Sequence, residues 1–229
     1  MKFTNLTPGS LIKRYKRFLV DVQLQGGDSL TAHCPNTGSM RGCLAPGSPV
    51  MLSRSENKGR KYPYTLEMIQ VNGFWVGVNT ARTNYLVREA VENGVVKEFS
   101  GVDAIQPEVK VGDSRLDFLL GRGQEKIYVE VKNCTLVEGG VAMFPDAVTS
   151  RGTRHLEELA RLRAEGYQAV IFFCVQRMDG DSFAPAAHID PVYAATLARV
   201  AGQGVKVLAY RADVNPQEIL VTRPLPVKF

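Results

Sequence analysis

The chain has 229 residues, of which 45% are hydrophobic and 22% are charged, an ordinary globular composition with enough length for one large domain or two small ones. No run approaches the roughly 18 apolar residues of a membrane span, and the N-terminus lacks the apolar core of a signal peptide. The sequence therefore predicts a cytoplasmic protein with no membrane partner. The net charge is +5, and residues 1–79 hold 10 basic and 4 acidic side chains, whereas residues 80–229 hold 18 and 19.

This concentration of positive charge in the first third indicates a polyanionic partner, with nucleic acid first, because Lys and Arg release counterions when they bind phosphates. The alternative is a solvated basic face that only keeps the protein soluble. The four cysteines form no CxxC pair; they are Cys34, Cys43, Cys134 and Cys174. We expect reduced thiols rather than a zinc site.

Short strands separated by turns are predicted in the first third of the chain. Alternating residues from Phe18 to Leu24, a turn at Gly26-Gly27-Asp28 and a run from Leu30 to Cys34 predict a hairpin. Further strands are predicted at Val50 to Arg54, Tyr64 to Val71 and Phe74 to Val78. So many short strands in so short a segment indicate a small barrel or sandwich, and we expect a five-stranded OB-type β-barrel over residues 1–79.

The pattern changes after Asn79-Thr80, where a capping residue precedes a helix predicted from Ala81 to Asn93. The next predicted elements are strands at Ala104 to Val111, Arg115 to Leu120 and Lys126 to Lys132, a loop from about Asn133 to Thr149, a helix at Arg154 to Glu165, a strand at Ala169 to Val175, a helix from Asp190-Pro191 and a strand at Val205 to Tyr210. This order predicts a second domain over residues 80–229, with a mixed sheet flanked by helices. The whole chain is thus expected to be a two-domain α+β or α/β protein.

Candidate metal ligands lie on two of these strands. Side chains alternate along a strand, so Glu130 and Lys132 share one face while the apolar residues between them turn to the core. If Gly123-Gln124 form the tight turn of a hairpin, the cross-strand register places Asp117 opposite Glu130. Cross-strand Cβ atoms are roughly 5 Å apart. Both carboxylates could then hold one Mg²⁺ or Mn²⁺ ion.

A solvated ion pair between Glu130 and Lys132 is the alternative, because half-exposed strands often carry alternating charged residues. A metal site would gain a third ligand from Glu89 on the preceding helix or Glu108 on the preceding strand, although for each taken singly the role of an ordinary surface acid is favoured. In a metal site, Lys132 would position the attacking water or shield the charge of the reacting phosphate.

The spacing of Asp117 and Glu130-Val131-Lys132, followed by an amphipathic helix and an apolar strand, resembles the PD-(D/E)xK nuclease superfamily, with Leu116 in place of the proline. The resemblance implies a restriction-endonuclease-like fold for the second domain. By that resemblance Asp117 and Glu130 are metal ligands, Lys132 is the catalytic lysine, and Glu89 matches the helix glutamate of some resolvase-like members.

A second resemblance covers nearly the whole chain. The motifs Arg14-Tyr-Lys-Arg-Phe18, His33-Cys-Pro-Asn-Thr-Gly38, Arg60-Lys-Tyr-Pro63, Val78-Asn-Thr80, Tyr128-Val-Glu-Val-Lys132, Phe144-Pro-Asp-Ala147 and Pro185-Ala-Ala-His-Ile-Asp190 resemble the bacterial sugar fermentation stimulation protein A family. This resemblance implies an N-terminal OB-type domain, a C-terminal nuclease-like domain, DNA binding and a role in regulating sugar-utilisation genes.

Basic side chains interleave with aromatic ones in the barrel region. This mixture suits single strands, because bases stack on aromatic rings while cations follow the phosphates. The candidate nucleic-acid-binding residues are Lys13, Arg14, Lys16, Arg17, Arg60 and Lys61. The alternative is that Tyr15 and Phe18 pack in the barrel core and the charges only face water. Farther along, Arg151 and His155 lie one helical turn apart and could meet a phosphate, although a buried, hydrogen-bonded role is favoured for the histidine.

Two functions remain open at this point. One is a Mg²⁺-dependent nuclease that cuts DNA or RNA while the barrel holds the substrate. The other is a non-catalytic, DNA-binding transcriptional regulator that uses the nuclease fold as a scaffold. Both predict salt-dependent and weakly sequence-specific binding to single-stranded or duplex DNA. The oligomeric state is left open between a monomer and a homodimer.

Overall fold

A computed structural model describes residues 1–112 and 114–229. Its N-terminal sheet comprises β1 (Thr7–Tyr15), β2 (Leu19–Leu24), β3 (Ser29–His33), β4 (Pro49–Arg54), β5 (Tyr64–Val71) and β6 (Phe74–Gly77). The strand order is β3-β2-β1-β4-β5-β6, and a pairing of β3 with β5 closes the first five strands into a barrel. The predicted five-stranded OB-type barrel is confirmed, and every strand predicted for it ends within one residue of the observed strand.

The sequence does not predict β1 as a separate strand, because Pro8, Gly9 and a run of charges interrupt the alternation. The closed barrel supplies its partners, with β2 on one side and β4 on the other, both antiparallel. Gly9 allows β1 and β2 to approach closely, since a Cβ there would lie 2.5 Å from Cγ1 of Val22. Fully buried side chains such as Leu11 and Leu52 fill the barrel core.

The second unit contains a mixed sheet flanked by helices, as predicted. Its elements are α1 (Thr83–Glu92), β7 (Ala104–Val111), β8 (Ser114–Arg122), β9 (Glu125–Cys134), β10 (Leu136–Glu138), β11 (Val141–Phe144), α2 (Ser150–Ala164), β12 (Gln168–Val175), β13 (Ser182–Pro185), α3 (Pro191–Gly202), β14 (Lys206–Val214) and β15 (Ile219–Pro224). The main sheet has the order β15-β14-β12-β9-β8-β7. Its central strands β9, β12 and β14 are parallel, so the chain crosses over from β9 to β12 through α2.

Apolar layers cover both faces of the main sheet. On one face Val129 packs with Leu86 of α1, and on the other Phe173 packs with Leu156 and Leu159 of α2. Strand β9, which carries the candidate site, is therefore held between two cores. No helix in the described ranges combines the length and apolar composition needed to cross a lipid bilayer.

The four cysteine thiols lie within these apolar layers and within the barrel core. All four belong to the described residues and are free and buried, which confirms the predicted reduced thiols. Burial raises the pKa of Cys43 to about 11 and that of Cys174 to about 12. Their chemistry is therefore that of inert core residues.

Three predictions of local structure differ from the structure. The segment predicted as a loop from Asn133 to Thr149 contains β10 and β11, which form a small sheet with β13. Helix α2 begins at Ser150 rather than at Arg154, because the hydroxyl of Thr149 accepts a hydrogen bond from the amide of Gly152 (3.1 Å). Strands β13 and β15 are also additional; β13 pairs with the distant β11, whereas β15 forms a hairpin with the neighbouring β14.

The two units make direct contacts with each other. The amide of Gly77 at the end of β6 donates to the carbonyl of Gln176 (2.9 Å), and Met68 of β5 packs in the apolar layer that contains α1. The predicted boundary lies between residues 79 and 80, but Lys2 forms a β-bridge with Glu218 of the second unit. The first residues thus pack against the second unit, and the division of the chain stays a prediction.

Candidate metal centre and cleft

A tight hairpin brings the two candidate metal-ligating carboxylates together. Strands β8 and β9 pair antiparallel with Arg122 opposite Glu125, so Gly123-Gln124 form the turn and the predicted register is confirmed. Continued in the same register, the ladder sets Asp117 opposite Glu130. Local turn chemistry thus fixes which side chains meet, because a slip of one residue would move each to the other face.

Glu130 is 3% exposed, and its two carboxylate oxygens have different surroundings. Oε1 accepts hydrogen bonds from the Lys132 ammonium (2.5 Å) and from Nδ1 of His155. Oε2 has no hydrogen-bond partner within residues 1–112 and 114–229. An unpaired buried carboxylate oxygen is energetically unfavourable, so Oε2 is the atom of this cluster that is open to a further ligand.

His155 lies on α2 one turn after Arg151 and is 6% exposed. Its Nε2 accepts a hydrogen bond from Nε of Arg151 (3.5 Å), so Nδ1 carries the proton that is donated to Glu130. The approach of the Lys132 ammonium to Nδ1 (3.4 Å) then joins two donors and is not a hydrogen bond. The structure confirms the buried, hydrogen-bonded histidine favoured by the sequence and adds its partner, the candidate metal-ligating glutamate.

Asp117 is held by two neutral donors. Its Oδ1 accepts from Nδ2 of Asn84 (2.7 Å) and its Oδ2 accepts from the amide of Val131 (2.7 Å). Burial and the neighbouring Glu130 carboxylate raise the pKa of Asp117 despite these hydrogen bonds. Burial acts in the same direction on Glu130, but the hydrogen bond from the imidazole and the nearby ammonium outweigh it and leave the pKa of Glu130 below its ordinary value.

A hard divalent cation fits this set of donors. Mg²⁺ keeps several waters and binds through one or two carboxylates, and Asp117 and Oε2 of Glu130 supply two. No group of three or more His, Cys, Asp or Glu side chains in the described part of the chain is arranged to hold a metal, so the other ligands would be water or backbone oxygens. A cation here would relieve the repulsion between the carboxylates and satisfy the unpaired oxygen.

The carboxylates line a cleft of about 680 Å³ with walls from both units. The barrel contributes residues 36–39, and the second unit contributes the segment 143–149 that leads into α2. The cationic side chains lining the cleft are Arg14, Arg17, Arg115, Lys132 and Arg151, and the acidic ones are Asp117, Glu130 and Asp146. This excess of cations favours a polyanionic ligand.

The structure does not bring either proposed third ligand to the carboxylate pair. The Glu89 carboxylate accepts a hydrogen bond from the amino group of Met1 (2.5 Å). Glu108 lies near Asp117 in the β7–β8 register, but its backbone has a left-handed φ of 53° and its 70% exposed side chain pairs with Arg115 (3.1 Å). Neither acid lines the cleft.

Two of the six predicted nucleic-acid-binding residues, Arg14 and Arg17, line the cleft. Arg14 is engaged by the protein itself, because its guanidinium donates to the backbone carbonyls of Arg17, Asn36, Gly38 and Ser39. The other four predicted residues, Lys13, Lys16, Arg60 and Lys61, lie outside the cleft lining. Only part of the predicted basic set therefore lines the cleft.

The cleft lining also includes Asn84, Arg115 and Asn133, which the sequence did not identify as candidates. Asn84 orients Asp117, and Arg115 precedes Asp117 by two positions on β8. Asn133 follows Lys132, and its side-chain nitrogen has no partner among the described residues. Alternation along β8 could have identified Arg115, whereas the role of Asn84 depends on how α1 packs against the hairpin.

Comparisons with known proteins agree with this architecture. The family model described as the SfsA N-terminal OB domain matches residues 12–78, and the one described as the sugar fermentation stimulation protein RE domain matches residues 81–218. Two relatives named sugar fermentation stimulation protein homolog cover almost the whole chain. The one from Geotalea uraniireducens (strain Rf4) is 53% identical over 225 residues, covering 98% of this chain and 97% of the relative. The one from Pelobacter propionicus (strain DSM 2379 / NBRC 103807 / OttBd1) is 54% identical over 228 residues, covering 99% of each.

A solved structure has the same fold over its full length. It is described as the structure of Pyrococcus furiosus SfsA in complex with Ca²⁺. It is 29% identical to this chain, with a TM-score of 0.93, and the match covers 100% of this chain and 98% of that one. The arrangement of barrel and mixed sheet is thus shared by both proteins.

Proposed function

The chain belongs to the sugar fermentation stimulation protein family, and on that premise we propose that it binds DNA and hydrolyses phosphodiester bonds with a divalent cation held by Asp117 and Glu130. In this proposal residues 1–79 contribute nucleic-acid binding and residues 80–229 contribute the metal site. The carrying observation is the buried, unpaired Oε2 of Glu130 beside a second carboxylate in a cation-lined cleft. Mg²⁺ or Mn²⁺ is the expected ion, and the Ca²⁺ of the Pyrococcus relative also prefers oxygen ligands.

The residues around the carboxylates have separate roles. When bound, the cation supplies Lewis-acid chemistry that stabilises charge on the phosphate and makes water a better nucleophile. Lys132 has three N–H donors, and with one on Glu130 it can direct another to a phosphate oxygen in the cleft. Asn133 offers a neutral donor beside it. Arg115 and Arg151 line the same cleft and suit the phosphates on either side of the scissile one.

His155 acts through Glu130 as a positioning residue. Its Nδ1–H and the Lys132 ammonium both engage Oε1, which leaves Oε2 as the oxygen available to the cation. Arg151 fixes the tautomer from the other side of the ring. Outer contacts of this kind orient metal-binding carboxylates in many enzymes.

The test is cleavage of labelled single-stranded and duplex DNA in Mg²⁺ or Mn²⁺ by the wild type and by Glu130→Gln and Lys132→Met. Each variant should lose at least about a hundredfold in rate, because Glu130→Gln removes a charged ligand of the cation and Lys132→Met removes a cation that faces the reacting phosphate. Glu138→Gln is the matched control, since Glu138 is an acid on β10 that pairs with His188 outside the cleft. Cleavage that persists in Glu130→Gln would contradict the proposal.

Binding of metal and DNA without cleavage by the wild type would instead favour the other function left open by the sequence, a non-catalytic transcriptional regulator that uses the nuclease fold as a scaffold. The presence of Asp117, Glu130 and Lys132 in one cleft supports the enzyme, because an idle site has no need of all three. A role in regulating sugar metabolism is supported only by the name of the relatives.

A further inference from the structure

The turn between β1 and β2 presents three exposed side chains next to the cleft. It consists of Lys16, Arg17 and Phe18. Arg17 lines the cleft together with the metal-site carboxylates. The Phe18 ring is 49% exposed, so the alternative in which it packs in the barrel core is wrong. The turn therefore offers a cation and an aromatic face to anything that enters the cleft from the barrel side.

The backbone of this turn is strained. Lys16 has a φ of 49° and Arg17 a φ of 63°, and two consecutive left-handed residues with side chains are sterically unfavourable. The amide of Phe18 donates to the carbonyl of Lys16 (2.8 Å), and Nε of Arg14 donates to the carbonyl of Arg17 (2.8 Å). Strain of this kind persists only where the surroundings enforce it, and it is concentrated at functional sites.

The same arginine ties the turn to the wall of the cleft. Besides Arg17, the Arg14 guanidinium holds three backbone carbonyls within residues 36–39. That segment is fastened in turn to the second unit, because Oδ2 of Asp146 accepts the amide of Met40 (2.7 Å) and the backbone carbonyl of Asp146 accepts the hydroxyl of Ser39 (2.6 Å). The turn is thus fixed relative to the segment that leads into α2.

We propose that this turn is a binding site for single-stranded DNA, in which the Phe18 ring stacks on a base and Arg17 pairs with a phosphate of the strand entering the cleft. In a duplex both faces of each base are covered by its neighbours, so a protruding ring stacks only on an unpaired base. The proposal rests on the proposed function and deepens it, because it names single-stranded DNA as the substrate class.

The test is fluorescence anisotropy with a labelled oligothymidylate of about 12 nucleotides and a duplex of the same length, in EDTA so that cleavage cannot interfere. Phe18→Ala should bind the single strand about five- to a hundredfold more weakly and the duplex with less than about a twofold change. Phe18→Trp, which keeps an aromatic face, should retain the affinity. Arg17→Gln should weaken binding to both and lower the slope of log affinity against log salt by about one.

Two exposed residues outside the cleft lining serve as matched controls. Phe74→Ala removes an exposed phenylalanine of β6, and Lys126→Gln removes an exposed cation at the hairpin end of β9. Both should bind like the wild type. Wild-type affinity for the single strand in Phe18→Ala, or an equal loss on the single strand and the duplex, would overturn the proposal.

The design separates this proposal from the nuclease proposal. Because binding is measured without metal, a Phe18-dependent preference for single strands would support the turn even if the protein cleaves nothing. Cleavage that depends on Glu130 but not on Phe18 would contradict the proposed role of the turn and would still support the metal site. An oligouridylate bound more tightly than the DNA would overturn the choice of DNA as the ligand.

Discussion

Replacing His155 by phenylalanine tests the hydrogen bond on which the orientation of Glu130 depends. The substitution removes the Nδ1–H donor to Oε1 and keeps a ring of similar size between α2 and the sheet. Because Glu130 is 3% exposed, water cannot replace the donor. Hydrogen bonds to charged groups contribute about 1.5–3 kcal/mol, so we expect the free energy of unfolding to fall by about 2 kcal/mol at neutral pH.

The size of that loss should depend on pH. In the wild type the pKa of Glu130 lies below its ordinary value, so this carboxylate adds stability above that value and loses it as the pH falls. Without the imidazole, burial is opposed less strongly and the pKa of Glu130 rises in the folded protein. The two proteins should therefore differ most at neutral pH and become more alike as Glu130 takes up a proton in acid.

The same substitution should weaken Mn²⁺ binding about 10- to 100-fold, the usual effect of losing a contact that orients a metal ligand. Isothermal titration calorimetry with Mn²⁺ and urea unfolding at pH 7 and in acid measure the two effects. His188→Phe is the matched control, because this exposed histidine pairs with Glu138 outside the cleft and should change stability by less than about 0.5 kcal/mol. Wild-type stability and Mn²⁺ affinity in His155→Phe would refute the reasoning.

Three other predictions concern the surroundings of the site. Asn84→Ala removes a donor to the metal-site aspartate and should weaken Mn²⁺ binding about tenfold. The Glu89 carboxylate contacts the amino group of Met1, so Glu89→Ala should leave the calorimetric titration unchanged. Equal effects of the two substitutions would contradict the placement of these side chains. Gly77→Ala puts a Cβ 2.3 Å from Oε1 of Gln176, so urea unfolding should show a loss of about 1–3 kcal/mol in the free energy of unfolding. An unchanged midpoint would show that Gln176 moves aside without cost. The thiol of Cys43, buried and with its pKa raised to about 11, should react with an aromatic disulfide reagent at pH 8 only after unfolding, and rapid reaction of the native protein would disprove its burial.

Local rules were sufficient to predict the central part of the candidate site. Alternation places Glu130 and Lys132 on one face of a strand, and the turn at Gly123-Gln124 sets the register that brings Asp117 opposite Glu130. These relations depend only on neighbours in sequence and on one tight turn. The same kind of signal identified five of the six strands of the N-terminal sheet, but not β1, whose partners β2 and β4 become apparent only when the barrel closes.

The sequence by itself determined the barrel, the mixed sheet and the carboxylate pair, because hydrophobic periodicity and turn chemistry are local. Only the tertiary structure decided what surrounds that pair. Asn84 and Glu89 lie about 140° apart around α1, and the docking of this helix brings Asn84 to Asp117 and Glu89 to the amino group of Met1. The contact of His155 with Glu130 likewise requires α2 to dock beside β9, which no pattern in either segment specifies.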